Sequence, residues 1–256
     1  MTEREWDRKL KIDTIGRDAS VEDAYHHPYE PTPYSVLERL ADSDYLSEEN
    51  IVVDYGCGKG RVGFFLSSEI GCKVIGIEFD NKICGQACEN LSGFVGDREG
   101  VEFLCVGAEN YEVEEADVFY FFNPFSVEIL HSVIGRIKNS YYNEPRGMKL
   151  FFYYPSDEYI AFLMAVPELC FLDEIDCSDL FADNKKREKI LIFEMVSENT
   201  METWYYEVVS IDGDYANLKR TDIELDDVKL VARALLPAEI VVGSRLKYEM
   251  LQYELM

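Results

Sequence analysis

The sequence predicts an α/β fold: a seven-stranded, mostly parallel sheet with helices on its faces, followed by a small C-terminal β-barrel domain. Three observations predict it. Short apolar runs alternate with helical patterns between residues 51 and 195, which is how a parallel sheet with right-handed crossovers reads. The apolar run Ile51-Val52-Val53 meets Asp54, then glycines at 56, 58 and 60, then the helical pattern of Val62, Phe64, Phe65 and Leu66. Beyond residue 203 the pattern changes to period two, broken by hairpin signals such as Asp212-Gly213-Asp214.

Each element follows in order. Residues 1–24 are charged and weakly periodic, a helix or a mobile arm. Thr32 suits an N-cap and Pro33 a first helical position, with Val36, Leu37 and Leu40 as the buried stripe of the helix that follows. The run 51–54 is a buried strand whose carboxyl end carries Asp54, and the glycine turn after it lets backbone pass close to a ligand. Residues 73–78 form a second strand ending in Glu78, and 83–91 a helix. Strands at 101–106 and 117–122 follow, then a helix at 125–137, a strand at 149–154 and a helix at 159–166. Strands at 169–175 and 190–195 complete the sheet.

Glu198-Asn199-Thr200 reads as a linker, which divides the chain into domains at 1–198 and 203–256. The second holds strands at 204–211, 215–218, 228–231 and 246–253, around Leu235-Leu236-Pro237 and Gly243. At about fifty residues it lies near the lower size limit for independent folding. A homodimer through this domain is one role it suggests.

Composition narrows the function. With 50 acids against 25 bases the net charge is −25, which repels nucleic acid unless a basic patch is gathered locally. Lys185-Lys186-Arg187 is short and flanked by Asp183 and Glu188, a solvated loop. No apolar run approaches the roughly 18 residues of a membrane span, and the charged N-terminus has no signal-peptide core, so a cytoplasmic protein is expected. The seven cysteines show no zinc spacing. Their odd number argues against a disulfide framework, and Cys84 and Cys88, a helical turn apart, read as buried reduced thiols. No metal is expected. His26, His27 and His131 have no partner acid at triad spacing.

The D-x-G-x-G-x-G of residues 54–60 resembles motif I of class I S-adenosylmethionine (SAM)-dependent methyltransferases. The dinucleotide fingerprint G-x-G-x-x-G/A fits less well, because Arg61 stands where its third small residue belongs. The resemblance covers roughly residues 25–196 and implies a SAM cofactor. It implies that Asp54, Gly56, Gly58 and Gly60 shape the methionine pocket. Glu78, 24 residues beyond Asp54, would accept the ribose hydroxyls, and Glu109 or the Ala108 backbone would hold the adenine. Tyr29-Glu30-Pro31-Thr32-Pro33 is similar to a segment that covers the cofactor in some protein-lysine methyltransferases, so Tyr29 and Thr32 join the cofactor set.

Phe122-Asn123-Pro124-Phe125 resembles the (D/N)-P-P-(Y/F) motif of amino-methyltransferases with one proline missing. It also resembles the N-N-F segment of the Dot-type histone lysine methyltransferases. Asn123 is then the residue that orients the acceptor nitrogen, Phe125 an aromatic wall, and Pro124 and Tyr154 further parts of the substrate pocket. The activity implied is methyl transfer to nitrogen on a protein side chain or a small molecule. The alternatives are an adenine N6-methyltransferase acting on nucleic acid, a SAM-binding scaffold without catalysis, and a NAD-binding oxidoreductase. The segment 203–256 resembles a small bacterial β-domain of unknown function.

Overall fold

The computed structural model describes residues 1–18, 27–182, 187–196, 204–213, 215–221, 228–233, 236–249 and 252–255. The chain divides into two compact units, Met1–Met195 and Val196–Met256.

In the first unit, β1 (Ile51–Tyr55) is a short strand buried along almost its whole length, as its unbroken apolar run requires in a sheet covered on both faces. It is flanked by β2 (Lys73–Glu78) and β4 (Val118–Phe121), both parallel to it. With β3 (Val101–Cys105), β5 (Lys149–Tyr153), β6 (Leu169–Asp176) and β7 (Lys189–Met195), the sheet order is β3-β2-β1-β4-β5-β7-β6. Only β7 runs against the others. Its first residues therefore arrive at the same edge as the carboxyl ends of β4 and β5.

Side chains alternate between the faces. Val52, Tyr120, Phe151 and Tyr153 enter the core shared with α1 (Glu3–Leu10), α2 (Tyr34–Ala41) and α3 (Arg61–Glu69). Val53, Phe119, Phe121 and Phe152 enter the opposite core, under α5 (Val127–Asn143) and α6 (Asp157–Leu163). Phe121 is fully buried, stacked on Tyr55 at 5.0 Å and on Phe152 at 4.6 Å. Replacing a ring held like this by alanine costs about 3–5 kcal/mol.

Residues 3–10 are folded as a helix. A capping box fixes the start of α1, with Thr2 and Glu5 bonding each other's backbone N–H. Trp6 and Leu10 are buried and anchor it, Trp6 stacking on Tyr34 at 5.5 Å. The helix α2 starts one residue later than its sequence suggests. Pro33 is its N-cap, no side chain caps it, and Thr32 is drawn off to another partner. α4 (Asn81–Gly93) starts at Asp80, whose Oδ1 accepts from the backbone N–H of Lys82 and Ile83 at 2.7 and 3.2 Å.

The cysteines depart from expectation. Cys84 and Cys105 form a disulfide, while Cys57, Cys72 and Cys177 are buried thiols and Cys88 and Cys170 are exposed. Packing of α4 against β3 brings the α-carbons of Cys84 and Cys105 to 5.7 Å, well inside bonding reach. Cys88 sits one turn further on and faces out.

The second unit is a five-stranded antiparallel sheet of β8 (Trp204–Asp212), β9 (Tyr215–Arg220), β10 (Val228–Ala232), β11 (Arg245–Glu249) and β12 (Gln252–Leu255), in the order β10-β9-β8-β11-β12. Tyr206, Val208, Ala216, Leu218 and Leu246 form its core. The single strand expected over 246–253 is two strands of a hairpin, with Tyr248 opposite Tyr253. Among the described residues no pairing joins β10 to β12. Linker residues 198–200, Asp214 and Leu235 lie outside the described residues.

Candidate active site

Parallel strands deliver their carboxyl ends to one edge, where open α/β sheets form ligand crevices. A cavity of about 540 Å³ opens there, lined by the ends of β1, β2, β4 and β5 and by residues 27–33. That volume falls within the range of about 300–1,000 Å³ usual for small-molecule sites.

Its floor is the turn after β1. Gly56, Gly58 and Gly60 have φ of +75°, +57° and +87°, a region that glycine enters without penalty. Of the three, Gly56 lines the cavity. A Cβ on Gly58 would stand 2.2 Å from the Tyr29 ring and one on Gly60 2.4 Å from Phe103, so side chains cover these two glycines. They shape the turn and its packing. Even Gly56 is backed by Pro124, 2.4 Å from where a Cβ would be.

Asp54 is 2% exposed, and its Oδ2 has no hydrogen-bond partner among the described residues. Burial, and secondarily the charge of Glu78, push its carboxyl up to about 8. Such a group calls for a cation, which would restore its ionised form. Glu78 is also buried, which raises its pKa. Its two oxygens accept from the backbone N–H of Gly58 at 3.0 Å and of Asp80 at 2.9 Å. Each keeps a lone pair for a further donor. Asp80 was not singled out from sequence, yet its Oδ2 is another buried oxygen without a partner among the described residues. Its signal was there, an acid two residues beyond the strand-end Glu78. Ala108 and Glu109 border the same cavity, and the Glu109 side chain accepts from Asn110 at 2.9 Å.

Residues 27–33 form the facing wall. The Tyr29 ring covers Gly58 while its hydroxyl donates to the Thr14 carbonyl at 2.6 Å. The Thr32 hydroxyl pairs with the Tyr120 hydroxyl at 3.2 Å, which is why it does not cap α2. Arg61, the residue that spoiled the dinucleotide pattern, is 2% exposed and holds this wall in place. It donates to Thr14 Oγ1 at 2.7 Å, to the Thr32 carbonyl at 3.0 Å and to Glu3, and stacks on Tyr34 at 4.3 Å. His26 lies outside the described residues. His27 donates its backbone N–H to the Pro124 carbonyl at 3.2 Å.

Asn123 follows β4 with φ of +42°, and Tyr154 follows β5 with φ of +51°. Non-glycine residues in this region are uncommon, more so for a bulky tyrosine, and strain of this kind gathers at functional sites. Asn123 Oδ1 is buried without a partner among the described residues. Pro124 lines the cavity beside it. Phe125 touches the cavity too, but it is 3% exposed and its ring packs edge-on against Phe121 at 6.3 Å. Phe122, Tyr153 and Tyr154 join it as aromatic walls at this end of the cavity. Phe122 lies 4.6 Å from Tyr153 and 6.5 Å, near perpendicular, from Tyr154. Lys185 and Lys186 lie outside the described residues. Glu188, read from sequence as the flank of a solvated loop, lines the cavity.

No protein-family model matches the sequence. A protein-lysine N-methyltransferase from Saccharolobus islandicus (strain REY15A) is 33% identical over 67 residues, 26% of this chain; the match spans 42% of that protein's length. Two solved structures that resemble the fold both hold S-adenosyl-L-homocysteine (SAH). An RNA methyltransferase from Salinibacter ruber aligns with TM-score 0.45 and 19% identity, over 68% of this chain and all of that one. A Pyrococcus abyssi tRNA (uracil-54, C5)-methyltransferase aligns with TM-score 0.49 and 15% identity, over 66% of this chain and 40% of that one. Among the described residues, no group of three His, Cys, Asp or Glu could hold a metal ion, and no helix is long and apolar enough to cross a membrane. With sheet order β3-β2-β1-β4-β5-β7-β6 and β7 alone reversed, the first unit has the seven-stranded, mostly parallel Rossmann-like fold that the sequence predicts.

Proposed function

We propose that this chain is a SAM-dependent methyltransferase whose acceptor is a nitrogen, with an amine such as a protein lysine favoured over a nucleic-acid base. The observation that carries this reading is Asn123 Oδ1, a buried acceptor without a partner at the end of β4.

The pocket suits the cofactor. Asp54, with its unpartnered oxygen, would receive the methionyl ammonium. Glu78 would take the ribose hydroxyls on its remaining lone pairs, with Asp80 beside it. Ala108 and Glu109 would border the adenine, while Tyr29 and Thr32 close the opposite side. Bound there, SAM would supply an electrophilic methyl group on a sulfonium.

Asn123 Oδ1 would accept an N–H of the incoming amine and so fix the direction of its lone pair. Phe122, Tyr153 and Tyr154 would exclude water around it. In a displacement with no covalent enzyme intermediate, positioning and desolvation are the main sources of rate that the protein can add. The name of the Saccharolobus relative supports a lysine acceptor.

The test is labelled SAM offered with a lysine-rich protein, a free alkyl amine and single-stranded DNA or RNA. Label should enter the amine acceptors. Asn123→Ala should lower turnover about 100-fold, the scale of a misdirected reactant, with SAH affinity within about twofold of wild type. Equal loss of both would make Asn123 a cofactor residue. SAM binding with no transfer to any acceptor would leave a scaffold.

A further inference from the structure

We infer that Glu188 is the anchor for a positively charged alkylamine acceptor, and that it gives the site its preference for an ammonium over a neutral group. The inference rests on the methyl-transfer reading for where the acceptor stands, and it adds which acceptor chemistry the site takes.

The reversed strand β7 makes this possible. Because β7 runs against β5, the residue just before it reaches the carboxyl edge, where Tyr154 N–H donates to the Lys189 carbonyl at 3.0 Å. The Glu188 backbone is fixed by the Cys177 N–H, 2.8 Å from its carbonyl. Its side chain is held as well, since the Tyr153 hydroxyl donates to Glu188 Oε2 at 2.6 Å. A carboxylate has about four acceptor positions. Tyr153 fills one, and among the described residues Glu188 forms no ion pair. The carboxylate is therefore aimed and still able to bind a donor.

Its surroundings favour a cation. Phe122, Tyr153 and Tyr154 line the same cavity as Glu188 and Asn123, and aromatic faces attract ammonium groups. Tyr154 already shows this preference on another side, with Arg187 stacked over its ring at 4.5 Å. Arg17 and Arg61 are the basic residues of the same lining, and Arg61 is committed to Glu3, Thr14 and Thr32. A neutral planar base would gain a hydrogen bond from its amine but no ion pair, whereas an alkylammonium gains both; before attack that ammonium would pass one N–H proton to the Glu188 carboxylate, freeing the lone pair that takes the methyl group.

The experiment titrates n-butylammonium chloride, and separately 1-butanol, into full-length protein saturated with SAH, followed by calorimetry. Saturation keeps the probe away from Asp54. Wild type should bind butylammonium at least about tenfold more tightly than butanol, the scale of one charge-assisted hydrogen bond. Glu188→Gln, which keeps the shape and removes the charge, should abolish that preference while leaving SAH affinity within about twofold. Butylammonium binding that is undetectable in wild type, matched by butanol, or unchanged in Glu188→Gln would overturn the inference. If Glu188→Gln does not fold, the comparison of the two probes on wild type still decides. Failure of SAH to bind wild type would instead count against the cofactor reading, and the same titration on the free protein carrying Asp54→Asn, with and without Glu188→Gln, would then judge Glu188.

Discussion

Binding of SAH should expel a proton from the pocket, and Asp54 should be its source. With its carboxyl pushed up to about 8 by burial, about nine-tenths of Asp54 is protonated at pH 7 and about half at pH 8. The methionyl ammonium would pair with the ionised form. About nine-tenths of a proton per site should therefore be released at pH 7 and about half at pH 8. Affinity should therefore rise about tenfold from pH 6 to 7, about fivefold from 7 to 8, and level off above. The free protein should behave in the opposite sense. Asp54 keeps its proton in the native state up to about 8 and loses it near 3.8 once unfolded. Its contribution to stability is thus full below pH 3.8 and is lost as the pH climbs through the native value. Calorimetry in buffers of different ionisation enthalpy counts the protons directly. Asp54→Asn should bring the count near zero and flatten the pH dependence. Zero proton release in wild type, with affinity constant from pH 6 to 8, would refute the pairing.

Two further predictions concern the frame around the pocket. Arg61→Met should destabilise the protein by about 3–5 kcal/mol, the cost of breaking a buried ion pair, because buried Asp7 loses the guanidinium 4.0 Å away while Thr14 and the Thr32 carbonyl lose a donor. A fall in melting temperature below about 4 °C would mean that Arg61 is dispensable. Reducing Cys84–Cys105, which closes a loop of sequence separation 21, should cost about 3 kcal/mol on the chain-entropy model. The melting temperature of Cys84→Ser/Cys105→Ser should then be insensitive to dithiol and match that of reduced wild type. A reductant effect that persists in the double variant would assign it to another cysteine.

Much of the sheet was legible in the sequence because buried parallel strands are short apolar runs, and their chemistry follows at once in the chain. Ile51 to Asp54 and its turn, Glu78 closing β2, and Asn123 just after β4 are local signals of this kind. What was hidden depends on distant parts of the chain meeting. Arg61 is a misfit in a motif until Glu3 of α1, Thr14 and Thr32 gather around it, and Thr32 looks like a helix cap until Tyr120 claims its hydroxyl. Nothing in a spacing of 21 residues shows Cys84 facing Cys105 across the α4–β3 packing. Glu188 follows a basic run in sequence, and only the reversal of β7 turns it into the cavity. The glycine turn misled in a narrower way. At Gly58 and Gly60 the missing side chains make room for Tyr29 and Phe103 instead of for a ligand.

A crystal structure with SAH bound would test the pocket most directly. It should show the ribose hydroxyls within hydrogen-bond distance of Glu78, the amino group against Asp54, and the sulfur turned toward Asn123. SAH seated elsewhere, or Asp54 and Glu78 both out of reach of it, would contradict the cofactor site proposed for this chain.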